Sequence, residues 1–172
     1  MKSAVLSLLL ALSVVTVREL PPERPGEIHC VLVVLDQKAD GELVLSPPTC
    51  FTDERSAEMW AAEGAGGLVL TDNGALTATA TSSTFTLGRH YDGFSGSGSS
   101  IRIVGGNCTG GWWNTSSWWD NRISSSYNGC ARLTHWDYPN KLGISESTYG
   151  SGTINNLSYM NNKTESVSYH SG

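Results

Sequence analysis

Apolar and polar positions alternate in three different rhythms along this chain. Ala4 to Val17 is an almost unbroken apolar run behind Met1 and Lys2. Ile28-His29-Cys30-Val31-Leu32-Val33-Val34-Leu35 is a second run, rich in β-branched residues, and predicts a strand. Asp36 to Gly41 predicts a turn and Glu42 to Leu45 a second strand, ended by Pro47-Pro48, since proline cannot donate to a ladder. A helix is predicted next. Thr52 is its expected cap, Asp53 and Glu54 suit the positive end of its dipole, and Gly64 follows its last residue. Met59 and Trp60 lie near Ser56 and Ala57 on its wheel. Gly64 to Thr84 runs through Gly, Ala, Thr, Asn and Ser and reads as a linker with one weak strand, Leu68 to Thr71.

From Phe85 the helical signal vanishes and short alternating segments take over. Phe85, Leu87 and Tyr91 fall on one alternation, as do Ile101 and Ile103, then Ala131, Leu133 and His135, then Val167 and Tyr169. Frequent turn residues between them predict an antiparallel β-sandwich. This half also repeats itself. Tyr91 stands seven residues before Gly98, and Trp136 seven before Gly143; an acid, Asp92 or Asp137, follows each aromatic. Each half later carries an acid/amide pair, Asp120-Asn121 in DNRISS and Asn161-Asn162 in NNKTES. A glycine at a fixed offset from an aromatic predicts a folded-over hairpin that needs positive φ.

The first apolar run is too short for a bilayer and has the charge-then-apolar order of a secretory signal, with Ala11-Leu12-Ser13 as the expected cleavage pattern. A secreted, extracellular protein is therefore expected, with no membrane contact after signal removal. Export gives meaning to the four cysteines, Cys30, Cys50, Cys108 and Cys130: an even count suggests two disulfides. Three pairings exist, and locality favours Cys30–Cys50 and Cys108–Cys130. Each would contribute about 3 kcal/mol in the chain-entropy model. The expected division is a signal at 1–17, a small βα unit or pro-segment at 18–66, a linker at 67–84 and a β domain at 85–172.

Charge separates the two units. Residues 18–70 carry ten acids and four bases; residues 85–172 carry five acids and six bases. Neither has a basic stripe, which argues against a nucleic-acid partner. The four histidines are scattered, with no H-E-x-x-H, and no G-x-S-x-G or P-loop occurs, so no enzyme is expected. His90 and His135 occupy matching places, each just before a repeat aromatic. Four sequons, at Asn107, Asn114, Asn156 and Asn162, read as by-products of Asn-rich turns.

In these repeated motifs the chain resembles the βγ-crystallin superfamily, and more closely the small secreted bacterial members grouped with the actinobacterial metalloproteinase-inhibitor family. That family's Greek key opens with an aromatic, six residues and a glycine. Its calcium signature is acid/amide, acid/amide, two free positions, Ser/Thr, Ser. DNRISS fits every fixed position; NNKTES departs at Glu165. The resemblance covers residues 85 to about 170 and implies a double Greek-key β-sandwich behind the hairpin-plus-helix unit. It also implies two facing loops that bind two calcium ions jointly. The Arg122 carbonyl and Ser124 hydroxyl would come from one loop, the Lys163 carbonyl and Glu165 from the other, with backbone near Asp92 and Asp137 completing the sites. Asp120, Asn121, Asn161 and Asn162 shape the loops; Asp120, Asn161, Ser125 and Ser166 are expected to brace them by hydrogen bonds to the backbone. Calcium takes six to eight oxygens, and because Glu165 replaces a hydroxyl two unequal sites are expected, with Kd on the order of 10⁻⁴–10⁻³ M.

Trp112-Trp113 and Trp118-Trp119 flank NTSS. Trp119 matches the core aromatic before the family's calcium loop. Trp112, Trp113 and Trp118 are candidates for contact with a partner, either a secreted metalloprotease or a cell-wall glycan. In the inhibitor reading, Gly110 to Ser117 is an exposed loop that enters a protease cleft. A monomer is expected.

Overall fold

The computed structural model describes residues 26–63, 68–70, 76–78, 84–116 and 118–172. The expected signal at 1–17 and its cleavage site lie outside them. The first half gives β1 (His29–Gln37), β2 (Leu43–Leu45), β3 (Thr49–Phe51) and α1 (Glu54–Glu63). Inside the expected linker, β4 (Leu68–Leu70) pairs antiparallel with β5 (Leu76–Ala78), where only the first strand was expected.

Residues 85–172 run as two four-strand units. The first is β6 (Phe85–Tyr91), β7 (Ser100–Gly105), β8 (Thr109–Asn114) and β9 (Ser125–Asn128). The second is β10 (Arg132–Tyr138), β11 (Leu142–Tyr149), β12 (Thr153–Asn156) and β13 (Ser166–His170). The protein is mostly β, and two sheets dominate it, in the orders β12-β9-β6-β7-β1-β2 and β11-β10-β13-β8. Each unit keeps three strands in one sheet and gives its third strand, β8 or β12, to the other. Leu87, Ile103, Ile123, Leu133, Val167 and Tyr169 fill the core between the sheets.

β1 lies parallel to β7, with Leu32 opposite Ile103, so the hairpin-plus-helix unit continues the first sheet. Both faces of β1 are covered, which is why its sequence is a continuous apolar run. Cys30 and Leu32 enter the main core; Val31 and Val33 pack with Val104 under Ala57 and Ala61 of α1. The helix thus turns its small residues to the sheet. Met59 points to solvent, and Trp60 packs on Phe51. The cap differs from the expected one: the Asp53 carboxylate accepts the Ser56 N–H at 2.7 Å, which makes Asp53 the capping residue in place of Thr52.

Unlike charges join helix and sheet. Buried Arg89 pairs with Glu54 and with Glu58 (3.1 Å), and Arg102 pairs with Glu58 at 3.2 Å. The expected alternation of β6 is broken by a register shift between Thr86 and Gly88. A bulge of this kind turns the following side chains over. Leu87 stays in the core, but Tyr91 lies beneath the Arg89 guanidinium, 5.0 Å away, beside Glu54 and Glu58. Cys30 is bonded to Cys50 and Cys108 to Cys130, the locally favoured pairing.

Candidate functional site

Each four-strand unit begins with a hairpin whose tip needs left-handed backbone. Ser95, Gly96 and Gly98 have φ of 56°, 76° and 83°; Asn140, Lys141 and Gly143 repeat this at 62°, 61° and 79°. A Cβ on Gly98 would collide with the Asp92 carboxylate, and one on Gly143 with that of Asp137. The acid after each aromatic thus closes the turn. Ser125 and Ser166 bond backbone, but of these tips and not of their own turns as expected. The Ser125 hydroxyl donates to the Gly93 carbonyl (2.6 Å) and accepts from the Gly96 N–H (3.0 Å). The Ser166 hydroxyl donates to the Tyr138 carbonyl (2.8 Å) and accepts from the Lys141 N–H (3.1 Å).

The turns at 120–123 and 161–164 meet across a local two-fold. The Asn121 N–H donates to the Thr164 carbonyl and the Asn162 N–H to the Ile123 carbonyl, both at 3.0 Å. Asn121 and Asn162 have φ of 59° and 54°, a region that asparagine tolerates better than most residues. Their side chains cross over as well. The Asn121 amide donates to Glu165 Oε1 at 3.1 Å, and the Ser124 hydroxyl donates to Asn162 Oδ1 at 3.2 Å. The structure therefore brings Asn121, Ser124, Asn162 and Glu165 together.

The other expected site residues divide. Asp92 is engaged by the Arg122 guanidinium (3.0 Å), which also stacks 4.3 Å over Trp118. The Asp137 carboxylate instead accepts the Ile144 N–H (2.6 Å), and the Lys163 ammonium sits 4.5 Å over Tyr159. Asp120 is braced by the Thr115 hydroxyl and not by backbone. Asn161 is not braced as expected: its Oδ1 is buried without a partner. That orphan oxygen, the Ser124 hydroxyl and the Glu165 carboxylate are hard donors, the chemistry calcium takes. Among the described residues no three His, Cys, Asp or Glu side chains converge as a metal site, so an ion here would depend on backbone carbonyls as well.

No family model, curated protein or solved structure matches this chain. The site is therefore read from its own geometry.

The tryptophans correct one expectation. Trp112 and Trp113 are buried, and Gly110 to Asn114 belongs to β8 and is not a protruding loop. Trp112 donates its indole N–H to the Asp40 carbonyl (3.1 Å) under the β1–β2 turn. Only Trp118 of the three is exposed, at 42%. Trp119 is buried, as expected.

Sequence reasoning missed the polar centre of the core. His90 and His135, noted only as matching positions, both touch the Ser126 hydroxyl, at 2.8 and 2.9 Å. His90 Nε2 is 3.0 Å from the Tyr169 hydroxyl, which accepts the Trp113 indole N–H at 2.8 Å. An indole only donates, so the Tyr169 hydroxyl accepts from Trp113; beyond it, the donor and acceptor roles along Tyr169, His90, Ser126 and His135 are set by the two imidazole tautomers. His135 Nδ1 has no partner. Burial holds both imidazoles neutral: His90 falls well below its ordinary pKa, helped by the nearby His135, and His135 falls to about 4.

Proposed function

We propose that this chain is a secreted, non-enzymatic calcium-binding protein of the βγ-crystallin type, in which calcium stabilises a double Greek-key sandwich. Support for the fold comes from the exchange of third strands between sheets and from the two matching hairpin tips. The observation that carries the function is the reciprocal pair of hydrogen bonds between the 120–123 and 161–164 turns, which sets oxygens of both turns side by side. The Arg122 carbonyl and Ser124 hydroxyl of one turn and the Lys163 carbonyl and Glu165 carboxylate of the other would build two ion sites jointly, completed by backbone near Asp92 and Asp137. The Arg122 guanidinium is drawn away by Asp92 and Trp118, which favours a carbonyl role for that residue. Calcium would supply electrostatic cross-linking of the two turns, and binding to the folded state alone raises stability by mass action.

The test is thermal unfolding of the purified chain in ~10 mM calcium and in chelator. With Kd near 10⁻³ M, calcium is expected to add about 1–2 kcal/mol. Superimposed curves would sink the reading. Of the tryptophans considered for protease or glycan contact, Trp118 alone offers an exposed ring, so those readings have less support.

A further inference from the structure

The two main sheets differ in width. The first carries β1 and β2 beyond β7, whereas the second stops at β8. β2 meets β8 at the Glu42–Trp112 bridge, but between β1 on one side and Trp113 of β8 with Trp119 on the other the layers do not close completely. A cavity of about 390 Å³ occupies that gap. Cys30, Leu32 and Ile101 form one wall and Trp113 and Trp119 the other, all of them buried; Trp118 stands at the mouth. Native interiors leave few voids larger than a water molecule, and an apolar cavity of about 150 Å³ is already enough to bind benzene.

We propose that this cavity is a binding site for one small, uncharged, apolar molecule. Among the described residues, no Asp, Glu, Lys or Arg lines it. Two of the polar groups on its wall are engaged with their neighbours and not with the cavity. The Asn114 amide exchanges two hydrogen bonds with Asn140 (3.0 and 2.7 Å), and the Ser116 carbonyl accepts the Trp119 and Asp120 N–H groups. A buried charge or amide on the ligand would go unmatched there, which selects for a hydrocarbon body. Walls from both sheets make the site concave and small, unlike a flat surface for a protein partner. This site is independent of the calcium reading.

The test uses the full chain with both disulfides formed and the neutral fluorophore N-phenyl-1-naphthylamine. One saturable site is expected, with quenching of tryptophan emission and displacement by 1-octanol. Leu45→Phe narrows the cavity and Ile28→Trp blocks its mouth; each is expected to weaken binding by about tenfold or more, with melting temperature as the control for folding. Ile28 is 38% exposed, so its variant reports even if Leu45→Phe fails to fold. Absence of saturable binding to the folded protein, or binding that a folded variant leaves unchanged, would overturn the proposal.

Discussion

The two four-strand units share a backbone and differ in what holds it. Both have a left-handed hairpin tip, a serine clamp and an Asn at positive φ in the following turn. The first turn is fixed by Thr115 on Asp120 and by Asp92 on Arg122. The second is fixed from outside. The Glu146 carboxylate accepts three successive N–H groups, from Ser158, Tyr159 and Met160, at 2.8–3.2 Å. Burial would raise the Glu146 pKa, but these donors outweigh it and hold the carboxyl below its ordinary value. The comparison shows that a doubled fold constrains main-chain geometry tightly while the supporting side chains diverge.

The largest expected effect is on the core histidines that the two units contribute. Both are neutral when folded, whereas an unfolded histidine titrates near 6.5. Below pH 6.5 the unfolded chain therefore binds protons that the folded chain refuses. The stabilisation is complete above pH 6.5 and is lost as pH falls toward the folded pKa, about 4 for His135. His135 alone should cost about 1.4 kcal/mol per pH unit, or about 2 kcal/mol between pH 7 and 5, and His90 adds in the same direction. Urea unfolding at a series of pH values measures this. His135→Gln should flatten the slope and breaks one side-chain bond, to Ser126; His90→Gln breaks two and should cost more. An unchanged slope in His135→Gln would remove that histidine from the account.

Next in size is the pair Gly98→Ala and Gly143→Ala. Both force a Cβ into positive φ and onto a carboxylate, at about 2–4 kcal/mol each. Gly143→Ala should cost more, because the Asp137 oxygen it strikes is the one that holds the Ile144 N–H, whereas Gly98→Ala strikes the Asp92 oxygen that does not face Arg122. Denaturant midpoints of the two variants decide it. Equal midpoints would mean that the Asp137 bond to Ile144 adds nothing.

What the sequence made legible was local and periodic. β1, β2, four of the sandwich strands (β6, β7, β10 and β13), both disulfides and the turn glycines could be read because alternation, cysteine spacing and positive φ leave marks on residue type. The parallel pairing of β1 with β7 left none, since a strand covered on both faces looks the same whichever neighbour it has. The bulge at Leu87 moved Tyr91 to the helix side with no signal beyond Gly88. The burial of Trp112 depends on Asp40, which lies far away in the chain. At the turns, it was the resemblance carried by DNRISS and NNKTES that implied two facing loops, and with them the meeting of Asn121 and Ser124 with Glu165 and Asn162. Residue types could not announce that Asp92 binds Arg122 while Asp137 binds a backbone amide.

The smallest expected effect bears most directly on the comparison. If the turns hold calcium as proposed, the Ser124 hydroxyl and the Glu165 carboxylate occupy equivalent positions with different reach and charge. Calorimetric titration should then resolve two unequal classes of site. Glu165→Ser restores the hydroxyl and removes one charge, so the two classes should merge, with affinity at the second site moving by about tenfold, or ~1.4 kcal/mol. Ser124→Glu should change the first site in the opposite sense and leave the second as it was. Stability without calcium should barely change in Glu165→Ser, because the bond lost, from the Asn121 amide, is exposed. Identical isotherms for wild type and Glu165→Ser would show that Glu165 holds no ion, and the asymmetry of the two turns would then be one of support alone.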